Sequence, residues 1–521
     1  MKQLDTIYSE LNIHLKSYNY PKIVYFFYKL YLIDGNPRHL VSIGDVYKDC
    51  NKYNYAIKYY KKIHTNHKLN LLSNFLCLTT FPIVYKNQSE IDLVIKNFNF
   101  FLKKCEEILI KPNSNNISKE DFIIIINRSI FYLAYSNINI VHYQERYQQL
   151  LKKICDKFLP QYSIKKKSVS KIEKIAFCAR DLDLKHTVIK LFKFLMDYFV
   201  EKNYEVFFYS YKKKNFYFEN NKNVKFFYAD NFQKIQLNII ENEIDILIYL
   251  DIGMSRYNTI LSNYRIAKIQ ISLWGHPVTS GSKEIDYFIT SELMDPKINQ
   301  KNYTEKLIFF PGLGINYFYN HIVNYNFTDN PPKNFVTCLQ PPQKISPKTI
   351  NFFKKIIDKN NNLNIIFLGL ENKYINLSLK KILEAKINSN NFTILNPLDH
   401  ENYCKLIYNS KIILDSVDWS GGNSSLEAFY FNKPIITFQG YNLRSNTTSA
   451  FLKVLNLEEL ICKNEDHFVE VFNKLYSNND FYVECVNKIK KNKSNFSNQV
   501  SNVFLDNLIN KIKSEIAIGR S

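Results

Sequence analysis

Residues 411–440 read KIILDSVDWSGGNSSLEAFYFNKPIITFQG. A short apolar run ends in Asp415, a turn-rich Trp419-Ser420-Gly421-Gly422-Asn423 follows, and a segment with helical spacing leads through Lys433-Pro434 into a second apolar run, Ile435 to Phe438. The pattern predicts strand, glycine-rich turn, helix and strand. Such a turn gathers unpaired backbone N–H groups and the positive end of a helix dipole just beyond the carboxyl end of a strand, which suits phosphate oxygens. The plainer reading is that Ser424 and Glu427 form an S-x-x-E capping box and the glycines only turn the chain. Spacing alone does not separate the two.

Working outward, the same alternation recurs on both sides. A downstream series comprises Phe335 to Leu339, Leu363 to Leu370, Phe392 to Leu395, Lys411 to Leu414 and Ile435 to Phe438. An upstream series starts at Lys171 with KIEKIAFCARDL, passes an amphipathic helix from Thr187 to Val200, and continues through YEVFFYS, Val224 to Tyr228, Asp245 to Leu250, Ile269 to Trp274 and Tyr287 to Ile289. Short apolar runs alternating with helical stretches predict βαβ units and parallel sheets, so two doubly wound halves stand in tandem. The linker between them is Tyr325 to Lys333, with Pro331-Pro332 inside it. Ligands of open parallel sheets lie off the strands' carboxyl ends, and two facing halves make a cleft.

Residues 1 to about 160 show helical periodicity with almost no strand signal. Leu40, Ile43, Gly44, Tyr47, Ala56 and Tyr60 match the spacing of one 34-residue tetratricopeptide repeat, and Tyr20 to Leu32 and Asp121 to Tyr135 are expected to be further helices. One repeat does not make a free-standing array, so this region is expected to lean on the next domain. The stretch from Leu457 to Ser514 is expected to be helical and to pack back on the sheets. The expected division is 1–165 helical, 171–325 first half, and 334–521 second half with closing helices.

At 521 residues the chain exceeds what one core organises. The net charge of +21 raises nucleic acid or an acidic membrane surface as partners. Only eight of the 69 basic residues are Arg, however, and the densest run, Lys165-Lys166-Lys167, falls at an expected linker. Specific nucleic-acid readers lean on Arg, so a solvated lysine surface is the better reading and no nucleic-acid partner is expected. Nine cysteines lack any C-x-x-C pair or metal-ligand spacing and read as reduced thiols of a cytoplasmic protein. No apolar run is long enough to insert in a membrane.

Three strings narrow the field: SLWGHPVTSGSKEIDYFITSELMDP (272–296) with YTEKLIFFPGLGI after it, CLQPPQKISP (338–347), and LDSVDWSGGNSSLEAFYFNKPIITFQG (414–440). Together, in this order, they resemble the catalytic region of the protein O-GlcNAc transferases, glycosyltransferase family 41, and more closely its bacterial SPINDLY-like members. The resemblance covers about residues 171–510, and implies that the half at 171–325 is the acceptor side and the half at 334–521 the nucleotide-sugar side. It implies an α/β GT-B fold and an inverting transfer of a sugar, GlcNAc in the leading reading, from a UDP-sugar co-substrate to a Ser or Thr hydroxyl of a protein. It implies neither a metal nor a further cofactor.

The resemblance also distributes roles. Lys344, in Q-x-x-x-K-I-x-P, stands where the family places a lysine on the nucleotide's diphosphate, and Gln340 four residues before it is a second candidate. An ammonium and helix N–H donors can neutralise a leaving nucleoside diphosphate. Gly422, Asn423, Ser424 and Ser425 occupy the place of the family's phosphate-holding turn. Glu427 matches an acidic residue that accepts from ribose hydroxyls, and Tyr403 stands where a side chain faces the base. His186, in D-L-D-L-K-H-T, resembles the family's D-x-x-x-H-P loop and is a candidate base or donor-positioning group. His276, in W-G-H-P, is a third catalytic candidate beside His186 and Lys344. Thr279, Ser280 and Gly281 are expected to offer backbone donors, and Asp251 a further carboxylate. The chain departs from the family at Thr187, where animal members have Pro, and at Asp245, where the family has a histidine. Two alternatives stay open: a different hexose donor or acceptor (Asn of a protein or a surface-glycan precursor), and a non-catalytic tetratricopeptide adaptor with a degenerate transferase domain.

Overall fold

The computed structural model of the chain describes residues 2–63, 69–110, 117–160, 162–164, 172–183, 186–212, 218, 221–319, 322, 327 and 335–518. The run Lys165-Lys166-Lys167 and, apart from Phe327, the expected linker Tyr325 to Lys333 lie outside the described residues.

Two parallel sheets organise the molecule. The first holds β1 (Lys174–Ala179), β2 (Glu205–Ser210), β3 (Val224–Tyr228), β4 (Ile246–Tyr249), β5 (Ile269–Ser272), β6 (Tyr287–Ser291) and β7 (Lys306–Phe310), in the order β3-β2-β1-β4-β5-β6-β7. The second holds β8 (Phe335–Cys338), β9 (Ile365–Leu368), β10 (Phe392–Leu395), β11 (Ser410–Leu414), β12 (Ile435–Phe438) and β13 (Ile461–Cys462), in the order β10-β9-β8-β11-β12-β13. In each sheet the strand order reverses once, between β1 and β4 and between β8 and β11, and such reversals open ligand crevices at the carboxyl ends. The central strands are buried on both faces, which is why they read as unbroken apolar runs rather than alternating ones.

Two strands depart from the sequence expectation. β7 lies inside the string YTEKLIFFPGLGI, and β13 opens the stretch expected to be wholly helical. At two residues, β13 is too short to carry a period of its own.

The helix pair Arg38–Asp49 and Tyr53–Lys62 packs closely because Gly44 has no side chain: a Cβ there would sit 2.3 Å from the Tyr60 ring. The expected helix from Asp121 to Tyr135 is instead broken into an α-helix, Lys119–Ile126, and a 3-10 turn, Phe131–Ser136. Between them Arg128 reaches back to Asp45 with two bonds of 2.6 and 2.9 Å, a tertiary pull that outweighs local helical propensity. Helix Val141–Phe158 then lies on the first half, where Gln144 and Gln148 both donate to Ser280 O. The helical region and one face of the first sheet share a single apolar cluster that includes Phe75, Tyr147, Leu247 and Tyr249.

The last helix, Asn502–Ile518, returns to the first half rather than closing the second. Tyr198 and Lys202 donate to Asp506 at 2.7 and 2.9 Å, and Leu505 and Ile509 lie beside Ile248 and Ile271. No described helix is long and apolar enough to cross a membrane. All nine cysteines are free and buried.

Candidate active site

The carboxyl ends of β8 and β11 adjoin at the reversal in the second sheet. After β8, Pro341 and Pro342 lead into a 3-10 turn, Pro342–Lys344, which brings the Lys344 side chain back over the strand end. After β11, buried Asp415 closes the following loop on itself: Oδ1 accepts from the N–H of Ser416 and of Gly421, both at 2.9 Å, and Oδ2 accepts from Thr437 Oγ1 at 2.7 Å. Two loops are thereby joined by one chain of bonds. Lys344 Nζ donates to Gln340 Oε1 and to Ser420 O, each at 3.1 Å, and Gln340 Nε2 donates to Ser424 Oγ at 3.3 Å.

Helix Asn423–Tyr430 begins directly after this turn. Its N-cap is Gly422, with no side-chain cap, so the S-x-x-E box does not form and Ser424 sits inside the first turn. The amides of Asn423 and Ser424 meet no acceptor among the described residues. The two glycines have different reasons to be there. A Cβ on Gly421 would lie 2.2 Å from Ser425 Oγ and 2.6 Å from Gln340 Nε2, whereas a Cβ on Gly422 would meet nothing within 4 Å. The open space beside Gly422, the free amides and the Lys344 ammonium form one anion-accepting corner.

Burial pushes the Lys344 ammonium down to about 8, with the nearby Asp415 carboxylate opposing the shift. Between about 8 and the ordinary lysine range the unfolded chain holds a proton that the folded one has lost, so stability without ligand rises across that interval. Anion affinity runs the other way, because only the charged form attracts phosphate: it is full below about 8 and lost as pH rises through it. UDP affinity, followed by calorimetry, should fall about tenfold from about pH 7 to about pH 9 in the wild type. It should stay level in Lys344→Arg, whose guanidinium keeps its charge.

The first half meets this corner through helix Thr187–Glu201. Asn423 Nδ2 donates to Thr187 O at 3.1 Å, and Lys190 Nζ lies 3.4 Å from Glu427 Oε1, with both side chains largely buried. Tyr403 also donates its hydroxyl to Glu427, so it reaches the site through that carboxylate. His186 is the N-cap of the first-half helix: its Nδ1 accepts from Val188 N at 3.4 Å. A neutral ring whose Nδ1 accepts from the backbone carries its proton on Nε2, the tautomer suited to donating a hydrogen bond there. Because Lys190 is the cation beside a buried carboxylate, Lys190→Met should cost about 3 kcal/mol of stability. The double variant with Glu427→Gln should recover most of it, both read from urea unfolding midpoints.

Several candidates are placed differently from expectation. Ser425 is buried and its hydroxyl is engaged with Thr448 Oγ1 at 2.9 Å, so it faces the core and not the corner. His276 is buried between the rings of Phe131 and Trp419, at centroid distances of 4.9 and 5.8 Å, and burial beside Arg444 lowers it to about 3. It is a neutral, enclosed ring rather than one presented to substrate. Thr279 and Ser280 spend their donors on Glu305, and Gly281 packs against Gln144. Asp251 accepts from Arg180 N and Asn258 Nδ2 at 2.8 and 2.5 Å, tying the ends of β1 and β4 together. Asp245 accepts from the backbone of Glu173 and Lys174 and from Lys268 Nζ, at the amino end of the sheet, away from the cleft. Lys190, Trp419 and Arg444 were not singled out from sequence, because each lies in a stretch whose periodicity marks only a helix or a turn. Among the described residues, no group of three or more His, Cys, Asp or Glu side chains is arranged to hold a metal ion.

Residues 144–324 match the sequence family Glycosyl transferase family 41. A probable UDP-N-acetylglucosamine–peptide N-acetylglucosaminyltransferase SPINDLY from Eustoma exaltatum subsp. russellianum is 26% identical over 253 residues, 47% of this chain and 28% of that protein. Its Arabidopsis thaliana counterpart is 24% identical over 259 residues, 46% of this chain and 27% of that protein. The chain thus spans under a third of the length of these curated relatives. A mutant O-GlcNAc transferase from Thermobaculum terrenum superposes with a TM-score of 0.66 at 15% identity, covering 98% of this chain and 97% of that one, and so shares the fold. Two parallel-sheet halves thus give the chain a GT-B fold like that of an O-GlcNAc transferase, and residues 144–324 of its 521 are similar to glycosyltransferase family 41.

Proposed function

We propose that this protein moves a sugar, GlcNAc in the leading reading, from a UDP-sugar to Ser or Thr hydroxyls of a protein, with inversion and without a metal ion. The observation that carries the proposal is the chain Lys344–Gln340–Ser424 beside the open amides of Asn423 and Ser424. When the acceptor oxygen bonds to the anomeric carbon, the sugar's bond to the diphosphate breaks and negative charge grows on the leaving oxygen. A buried ammonium and aligned amides offset that charge without reorganising. Glu427 is the proposed partner of the ribose hydroxyls, sharing its oxygens with Lys190 and Tyr403. His186 is the proposed donor-positioning group at the facing helix start. The relatives named as UDP-N-acetylglucosamine–peptide transferases support this donor and this class of acceptor.

The test is incubation of the full chain with mixed UDP-sugars and candidate acceptor proteins in EDTA, read by mass spectrometry. A hexosamine adduct that mild alkaline elimination removes is the expected result. An adduct that resists elimination would reassign the acceptor to Asn, and a plain hexose adduct would reassign the donor. No adduct together with no UDP binding would leave the adaptor reading.

A further inference from the structure

We infer that a cavity beside Arg444, separate from the diphosphate corner, is a carboxylate-binding site. It encloses about 230 Å3 where three parts of the molecule meet. The helical region contributes Asn137 and Asn139, the first half Thr279 and Asn302, and the second half Asn442 and Arg444.

Arg444 is the reason for the assignment. It is only 7% exposed, its Nη2 donates to Ile138 O at 2.9 Å, and its Nε is buried without a partner among the described residues. No described carboxylate lies within ion-pairing distance of it, although two are near. Asp295 is occupied by Tyr303 and Asn299 at 2.6 and 2.5 Å, and Asp418 by Asn137 and Ser346, both at 2.8 Å. A buried guanidinium with no carboxylate paired to it is costly, and the Trp419 ring, 5.9 Å from its Cζ, offsets only part of that cost. None of the described residues lining the cavity is acidic. One cation among neutral amides balances one negative charge, and the planar fork of Arg matches a carboxylate. A dianionic phosphate would call for a second cation, and the described lining supplies none.

The cavity and the diphosphate corner are neighbours but not one site. Ser420 donates its N–H to Arg444 O at 2.8 Å and accepts Lys344 Nζ on its own carbonyl, so the Trp419–Ser420 stretch stands between them. The carboxylate can come from a free small acid or from an acidic side chain of a polypeptide acceptor; the second source rests on the proposed transferase reading, the first does not.

Acetate, a monoanion at neutral pH, is the probe. Titrated into the full chain against sodium chloride at matched ionic strength, it should raise the wild-type unfolding temperature saturably, and Arg444→Gln should abolish the shift. Should that variant fail to fold, Asn442→Asp keeps the role of Asn442 as a helix N-cap while placing a carboxylate on the cavity wall, and acetate affinity should fall about tenfold. Equal shifts with acetate and chloride in the wild type, or unchanged acetate affinity in Asn442→Asp, would overturn the site. So would loss of acetate binding in Lys344→Ala, which would seat the anion at the diphosphate corner. Peptides differing only by Glu or Gln near the acceptor Ser separate the two sources. A preference of about tenfold for Glu that acetate abolishes assigns the site to the acceptor, and equal binding with acetate still seated assigns it to a free acid.

Discussion

Lys344→Ala should weaken UDP binding at least tenfold in the absence of divalent cations, measured by calorimetric titration. A charge-assisted contact of this kind is worth roughly 1.5–3 kcal/mol, and each factor of ten in affinity is about 1.4 kcal/mol. The ammonium is held over the turn by Gln340 and Ser420, so little side-chain ordering remains to be done when the diphosphate arrives. Stability should move far less. Removing a partly desolvated ammonium relieves the cost that burial imposes, while leaving Gln340 Oε1 and Ser420 O short of a donor takes a similar amount away. The unfolding midpoint should therefore correspond to a change of no more than about 1 kcal/mol. Unchanged UDP affinity with an intact fold would remove the main support for the proposed donor site.

The adjacent glycines should separate folding from binding. In Gly421→Ala the new methyl falls on Ser425 Oγ and Gln340 Nε2, so one of them must leave its place. Gln340 is the link between Lys344 and Ser424, and Ser425 is locked to Thr448, so either displacement loosens the corner. Overpacking of this kind costs about 1–3 kcal/mol, and the same variant should lose UDP affinity by more than tenfold. In Gly422→Ala the methyl enters empty space, so the unfolding midpoint should stay close to wild type while UDP affinity still falls, because that space is where the phosphates are proposed to lie. Wild-type UDP affinity in Gly422→Ala would move the phosphates elsewhere. Thermal unfolding beside calorimetry on both variants reads out the contrast.

Much of the fold was legible without coordinates. Parallel strands buried on both faces must be apolar along their whole length, and the helices between them must show one apolar stripe, so the alternation from Lys171 onward announces two wound sheets before any contact is known. What escaped was short or tertiary. The two residues of Ile461–Cys462 cannot display a period, and the break after Ile126 follows from Arg128 reaching Asp45 across 83 residues of chain.

The candidate site divides along the same line. That a strand, a glycine-rich turn and a helix follow Lys411, with Lys344 after a strand of the same half, is local information carried by side-chain size and spacing. Only packing decided that Ser424 joins Gln340 while Ser425, one residue on and rotated about 100° round the helix, turns to Thr448. Only packing enclosed His276 between Phe131 and Trp419, paired Lys190 with Glu427 across 237 residues, and left Arg444 without a carboxylate partner among the described residues. The physical reason is that periodicity records which way a residue faces along its own element, whereas its charge partners come from elements far away in the chain, whose approach no local pattern encodes.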